Sequence, residues 1–245
     1  MCAICGNPSH RHPPGYSRRN FLKLAAGAAL SLALPERAIF AAGETPKPQN
    51  VLSPGEALQR LRAGNKRYVS GVMQQRDFIA ERKVLAGGQN PFAGILSCAD
   101  SRVAPEYVFD TGLGDLFVLR VAGNFLNRDA LASFEYAVKF LGTPLLVVLG
   151  HEKCGAVDAA VKTVVDGAAL PGHLPQLAES IRPAVQSAIK QGGDLLASAI
   201  RDNVLQNVQK LKTATPIISQ YVDEKKIDVV GGIYKLDDGR IEWVV

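Results

Sequence analysis

Two short motifs in the sequence contain the residue types that hold transition metals. One is C-A-D-S-R, which begins at Cys98, and the other is H-E-K-C-G, which begins at His151 and places a second cysteine at Cys154. Two thiolates and one imidazole leave a single open position in a tetrahedral zinc site, and sulfur ligands favour zinc over magnesium or calcium. If the fold brings the two motifs together, these three side chains form such a site.

The cysteines also allow two other interpretations. Only Cys98 and Cys154, of four cysteines in total, lie beyond the first 42 residues, so a disulfide between them is the main competitor. Asp100, Arg102 and His151 beside the cysteines favour a metal site instead. A dithiol oxidoreductase is disfavoured, because no C-x-x-C occurs after residue 42.

Short apolar runs precede both motifs and predict how they are positioned. Phe92–Ser97, Leu116–Val121 and Leu145–Gly150 lack polar alternation, which is typical of parallel strands buried on both faces. A fourth run, Ile227–Leu236, is followed by an Asp-Gly turn and Ile241–Val245, which predicts a hairpin. Since sites in open α/β sheets form beyond the carboxyl ends of the strands, the first and third strands would bring the metal motifs together.

Helical patterns lie around these runs. Ser53-Pro54-Gly55-Glu56 predicts a capped helix that continues to about Val69, and Asp129–Leu141 predicts another. Residues 174–223 predict two or three helices broken near two adjacent glycines. The fold class is therefore α/β, with a mostly parallel sheet of four strands, a C-terminal antiparallel strand and flanking helices.

The amino-terminal 42 residues differ in character from the rest. They contain S-R-R-N-F-L-K from Ser17, which matches the twin-arginine export signal of bacteria, followed by the uncharged run Leu24–Leu34. That run is well short of the roughly 20 residues that span a bilayer. We therefore expect residues 1–42 to be a signal peptide that engages the twin-arginine translocon and is removed. An attached amphipathic helix and an uncleaved anchor are the alternatives.

Most of the net charge belongs to this leader. The chain carries a formal charge of +5, and residues 1–42 hold five basic residues against one acidic residue. The nearly neutral body has no basic stripe with interleaved aromatics, so nucleic-acid binding is not expected. We expect a linker at 43–52, one catalytic domain at 53–245, a location in the bacterial periplasm or outside the cytoplasm, and no stable membrane insertion after cleavage.

The two motifs, read as C-A-D-S-R-V and G-H-x-x-C-G, resemble the signature of the β-class carbonic anhydrases. The likeness extends from about Ser53 to Val245 and includes Phe109-Asp110 and the stretch Gly114–Phe117. It implies the β-carbonic anhydrase fold and one zinc ion per subunit, held by Cys98, His151 and Cys154. The implied activity is the reversible hydration of carbon dioxide to bicarbonate and a proton by zinc-bound hydroxide.

The resemblance assigns two further roles at the metal. Asp100 is expected to orient the zinc-bound hydroxide, and Arg102 is expected to hold the Asp100 carboxylate in a bidentate pair. Without that restraint, Asp100 could bind zinc itself and close the site. A plain ion pair that stabilises the turn is the alternative for these two residues.

Pocket residues follow from the same resemblance. Phe117, Ala122 and Tyr136 match positions that line the substrate pocket, although Phe117 and Tyr136 could also be ordinary core residues. Gly155 matches a backbone donor near the pocket, and Gln89 matches a position whose amide touches the zinc-bound ligand. Plant-like members often carry a larger aliphatic side chain where this sequence has Ala122.

One departure from the family concerns inhibition. Some bacterial members hold an inhibitory bicarbonate with a tryptophan and an arginine. Arg120 matches the arginine, but Ile95 stands at the tryptophan position. We therefore expect an open site without that regulation.

The sequence leaves two functional alternatives and one assembly question open. The same fold could hydrolyse carbon disulfide or carbonyl sulfide, or it could be a non-catalytic zinc-binding protein with a closed site. The resemblance also implies a homodimer or a larger homo-oligomer, in which the helix from Ser53 to Val69 could embrace the partner subunit.

Overall fold

The computed structural model of the chain describes residues 45–245. The described strands are β1 (Ala93–Ser97), β2 (Leu116–Arg120), β3 (Leu145–His151), β4 (Asp228–Tyr234) and β5 (Ile241–Trp243). The described helices are α1 (Pro54–Val69), α2 (Phe78–Leu85), α3 (Pro105–Val108), α4 (Arg128–Leu141), α5 (Gly155–Asp166), α6 (Leu174–Ile189), α7 (Leu195–Lys212) and α8 (Ile217–Asp223), and a 3-10 turn (Pro48–Asn50) precedes α1. The predicted leader, residues 1–42, lies outside the described residues.

The strands form one sheet in the order β2-β1-β3-β4-β5, in which β1 to β4 are parallel and β5 is antiparallel to β4. This confirms the predicted α/β fold. The prediction that all three apolar runs are buried on both faces is correct for β1 and β3 and wrong for β2, whose residues are half-buried or exposed. The reason is position, since β2 is at the edge of the sheet and has one neighbour, β1, among the described strands.

The register of the sheet places the two metal motifs side by side. Ser97 of β1 pairs with Leu149 of β3, so Cys98 follows at the level of Gly150 and His151. Apolar side chains cover both faces, with α4 to α8 packed on one face and α1 and α3 on the other. These layers fix the carboxyl ends of β1 and β3 against each other.

Part of the segment predicted as a linker packs onto the domain. Lys47 and Asn50 are buried, and both donate to the buried Asp115 carboxylate, at 2.9 and 3.1 Å. A buried carboxylate is costly without such partners, which explains why these two residues leave solvent. Within residues 45–245, no helix has the length and apolar character needed to cross a membrane.

Gly64 allows a direct test of how α1 packs. A Cβ added at Gly64 would lie 1.8 Å from the carbonyl oxygen of Phe109, which is rigid backbone. We expect Gly64→Ala to lower the free energy of unfolding by about 3 kcal/mol or more, the upper range for overpacking. Gly55→Ala, in the same helix with no atom within 4 Å of the added Cβ, should cause no loss. Equal urea midpoints for the two variants would contradict this packing.

Candidate metal centre

Three side chains from different elements converge where β1 and β3 end. Cys98 directly follows β1, His151 is the last residue of β3, and Cys154 is the N-cap of α5. The chain reverses between the last two through Lys153, which has a positive φ of 51°. One donor atom from each of the three residues lies within 4.8 Å of the other two, and all three residues are buried. Neighbouring parallel strands thus assemble the predicted triad.

The spacing of the sulfur atoms fits a metal ion. Cys98 Sγ and Cys154 Sγ are 3.9 Å apart, and both cysteines are free. Two thiolates bound tetrahedrally to zinc at about 2.3 Å lie about 3.8 Å from each other. A disulfide requires about 2.05 Å between the sulfurs. The observed spacing therefore matches that of two thiolates on one metal ion and not that of a disulfide.

The orientation of the His151 ring also fits a metal ligand. Its Nδ1 lies 2.8 Å from the carbonyl oxygen of Glu152, to which it donates as N–H. That tautomer leaves a lone pair on Nε2, which is buried and has no hydrogen-bond partner among the described residues. Because an unpaired buried nitrogen is costly, a metal ion bound at this point would satisfy it. A backbone carbonyl behind the ring is a common orienting partner of metal-binding histidines.

The two thiols do not ionise alike without a metal. A hydrogen bond from Cys154 lowers the pKa of the Cys98 thiol against the effect of burial, and His151 and the backbone N–H of Gly123 lower it further. The same contact with Cys98, together with burial, raises the pKa of Cys154. The contact between the two sulfurs thus favours ionisation of Cys98 and opposes that of Cys154, whose proton a bound metal would displace.

Asp100 lies beside the cluster but is held by Arg102. Arg102 Nε and Nη2 donate to the two carboxylate oxygens at 2.9 and 2.7 Å, and the Arg102 backbone N–H adds a bond of 2.9 Å. These hydrogen bonds keep the pKa of the Asp100 carboxyl well below its usual range. Asp100 Oδ2 is 3.8 Å from His151 Nε2. The carboxylate thus lies beside the triad with both of its oxygens bonded to Arg102.

Two residues around the cluster have roles that residue type and spacing did not predict. Arg120 donates to the backbone oxygens of Cys98 and Asp100, at 3.0 and 2.6 Å, and so fixes the loop that carries them. The Gly123 N–H donates to Cys98 Sγ at 3.3 Å. Arg120 ends β2 and Gly123 follows shortly after it, and β2 pairs with β1, which carries Cys98 at its end. This position in the sheet is the one feature that could have indicated contact with the triad. The match of Arg120 to a bicarbonate-binding arginine did not predict these contacts.

Two of the predicted pocket residues lie close to the triad. Gly155 begins α5 directly after Cys154, and a Cβ placed there would meet no atom within 4 Å. Ala122 immediately precedes Gly123 and is half-buried. Their assignment to the pocket stays a prediction.

The other three predicted pocket residues are not brought to the triad of the same chain. Phe117 of β2 pairs with Gly94 of β1. Gly94 precedes Cys98 by four residues, so Phe117 lies about 13 Å from the level of Cys98, measured along the strand. Tyr136 accompanies Phe117, with ring centroids 6.5 Å apart. Gln89 precedes β1 and so lies near the amino-terminal ends of the strands, whereas the triad lies at their carboxyl ends.

Comparisons with known proteins point to one family. A family model described as carbonic anhydrase matches residues 93–241. The chain is 40% identical over 189 residues to carbonic anhydrase 2 of Mycobacterium tuberculosis (strain CDC 1551 / Oshkosh), covering 77% of this chain and 91% of that protein. It is 37% identical over 191 residues to the carbonic anhydrase of Mycolicibacterium smegmatis, covering 78% and 93%.

Solved structures agree with the sequence relatives. The β-carbonic anhydrase CcaA matches with a TM-score of 0.59 and 28% identity, covering 77% of this chain and 95% of that one. The β-carbonic anhydrase CafA of Aspergillus fumigatus matches with a TM-score of 0.61 and 25% identity, covering 78% and 89%. The similarity spans the strands and loops that carry the buried triad.

Proposed function

This chain belongs to the carbonic anhydrase family, and on that premise we propose that Cys98, His151 and Cys154 together hold one zinc ion. The chain is an enzyme that interconverts carbon dioxide and bicarbonate. The observation that carries the zinc assignment is the convergence of three buried donor atoms within 4.8 Å, with a sulfur spacing of 3.9 Å. Thiolate and imidazole donors in this number are typical of a zinc site with one position left for chemistry.

Two residues beside the triad orient the attacking water, one directly and one indirectly. When bound, zinc supplies a Lewis acid that lowers the pKa of a coordinated water toward neutrality. The Asp100 carboxylate, ionised and facing the triad, accepts a hydrogen bond from the water that attacks carbon dioxide and so orients its lone pair. Arg102 keeps Asp100 in that role by occupying both carboxylate oxygens.

Metal removal should lower stability as well as activity. Because the folded site binds zinc and the unfolded chain lacks the assembled triad, zinc at about 100 times its dissociation constant should add about 2.7 kcal/mol to the free energy of unfolding. Thermal unfolding with chelator, with added zinc and with added magnesium measures this. We expect zinc, and not magnesium, to raise the midpoint. Equal midpoints in all three conditions would refute a zinc site formed by the fold.

We further propose that a second copy of the chain covers the edge strand β2 and completes the pocket. One edge of β2 is unpaired among the described strands. Beside it lies a groove of about 570 Å³ with exposed apolar side chains, among them Met73, Phe78, Tyr107 and Leu113. Exposed apolar grooves next to a free strand edge are typical of interfaces.

This assembly would also bring in the pocket residues that cannot reach the triad of their own chain. Gln89, Phe117 and Tyr136 would then act on the metal site of the partner copy. Light scattering on the purified protein should give a dimer or a larger homo-oligomer, and Phe78→Glu should shift it toward monomer with loss of activity. A fully active monomer would contradict the proposal.

We also propose that the chain is exported through the twin-arginine route to the periplasm. Support comes from Arg18-Arg19, the apolar run Leu24–Leu34 and the concentration of basic residues in the first 42 positions. Fractionation of bacteria that express the full chain should place a shortened protein outside the cytoplasm. Changing Arg18 and Arg19 to Lys should retain it inside, whereas Arg37→Lys should not. Normal export of the double variant would rule out this route.

A further inference from the structure

Helix α7 carries two buried asparagines on the face that packs against the sheet. Asn203 and Asn207 are 2% and 1% exposed, and they share this face with buried apolar residues such as Val204 and Val208. A buried amide costs free energy unless it is hydrogen-bonded, so an apolar residue would be expected at either position. The contacts of the two amides explain why asparagine stands there.

The two amides form a chain of hydrogen bonds that leads to the metal triad. Asn207 Nδ2 donates to Asn203 Oδ1 at 3.0 Å and to the Asn203 backbone oxygen at 2.7 Å. Asn203 Nδ2 donates to the carbonyl oxygen of Gly123 at 2.8 Å. The Gly123 N–H donates to Cys98 Sγ at 3.3 Å. Gly123 is therefore held from both sides, by a helix amide and by a metal-ligand sulfur.

Gly123 needs such a restraint to stay in place. Its φ of 83° is a conformation that side-chain-bearing residues avoid, and a Cβ at this position would come within 2.6 Å of Ile181. A glycine can leave this conformation at little cost, because it has no side chain to lock the backbone. Asn203 donates to the Gly123 carbonyl, and the Asn124 N–H in the same peptide plane donates to the Val121 oxygen at 2.9 Å. Together these bonds fix the peptide plane that follows Gly123, which limits how far the Gly123 N–H in the preceding plane can turn.

We propose that Asn203 is a positioning residue of the metal centre, which holds Gly123 so that its N–H remains directed at the Cys98 thiolate. The inference deepens the proposed function and rests on the triad being a metal site. A hydrogen bond to a thiolate withdraws charge from the sulfur and fixes the ligand, and loss of such outer partners typically weakens metal binding by about 10- to 100-fold. Asn203 touches neither metal nor substrate and acts through Gly123 alone.

The test uses cobalt(II) in place of zinc, because its bond to thiolate sulfur gives an absorption band whose energy reports the charge on the sulfur. In Asn203→Leu, we expect this band to move to longer wavelength and cobalt to bind about 10- to 100-fold more weakly. Asn65→Leu is the matched control. Asn65 is also buried and donates to the backbone oxygens of Val108 and Gly239, away from the triad. It should lose comparable stability but keep the wild-type band.

The outcomes separate this inference from the proposed function. A wild-type chain with no cobalt–thiolate band overturns both. A normal wild-type band together with an unshifted band and unchanged affinity in Asn203→Leu overturns the positioning role alone. Should the leucine variant not fold, Asn203→Ala is measured in the same way. In the wild type loaded with cadmium-113, magnetic coupling between the metal and the Gly123 amide proton is expected, and its absence overturns the relay.

Discussion

Replacing Cys154 with serine should give a folded chain that neither retains zinc nor hydrates carbon dioxide. A serine hydroxyl does not ionise near neutral pH, so the triad loses one of its two anionic donors. Serine is a preferred N-cap, and Cys154 is the N-cap of α5, so the helix start should survive the change. Since a metal Lewis acid contributes several kcal/mol, we expect kcat/KM to fall by about 1000-fold or more.

Zinc content per chain and stopped-flow hydration measure this loss, and thermal unfolding in the presence of chelator checks the fold. His173→Ala provides the control, because it removes a potential donor that is exposed at the start of α6 and outside the triad. That variant should keep its zinc. A Cys154→Ser protein with a full equivalent of zinc would show that the triad is not the metal site.

Replacing Arg102 with alanine should abolish most of the activity while zinc stays bound. The change frees the Asp100 carboxylate from its two side-chain bonds of 2.9 and 2.7 Å. Asp100 Oδ2 already lies 3.8 Å from His151 Nε2, so a released carboxylate can rotate and bind the metal itself. Alternatively, it can rotate away and no longer accept a hydrogen bond from the attacking water. We expect a fall in kcat of roughly 100-fold or more, the usual contribution of a positioned proton-accepting group.

The chain supplies a matched control for this variant. Arg240 also pairs with Asp238, two residues earlier, but its side chain bonds a single carboxylate oxygen, with Nε 2.7 Å from Oδ2. That pair lies at the surface turn between β4 and β5, so Arg240→Ala should leave hydration unchanged. Arg102→Lys should fall between wild type and alanine, because lysine cannot form the bidentate pair. Near-normal carbon dioxide hydration by Arg102→Ala would show that Arg102 is not needed to hold Asp100 for catalysis.

Much of the fold and the metal triad could be predicted because both rest on local patterns and on one rule of topology. Apolar runs located β1 and β3, and parallel pairing of adjacent strands then required Cys98 and His151 to meet. The Ser53 capping pattern likewise predicted α1, whose capping box is present. The half-buried state of β2 could not be predicted, because the residues of a strand do not show whether it is a central strand or an edge strand of the sheet.

The parts that escaped prediction depend on long-range contacts. Arg120 contacts backbone oxygens of a neighbouring loop, and Gly123 acts through its own backbone N–H. Neither contact can be predicted from residue type or spacing. Asn203 stands 80 residues from the glycine it holds, and only its burial reveals that its amide points inward. Buried Lys47 was assigned to a linker because its partner, Asp115, is distant in sequence.

The most direct test of the central claim is zinc content measured together with stopped-flow carbon dioxide hydration on purified residues 43–245, before and after chelation. We predict one zinc ion per chain, loss of hydration when zinc is removed, and recovery when zinc alone is returned. Carbonyl sulfide and carbon disulfide, offered in parallel, should be turned over far more slowly. A zinc-loaded protein that does not hydrate carbon dioxide, or hydration that survives without zinc, would contradict the account.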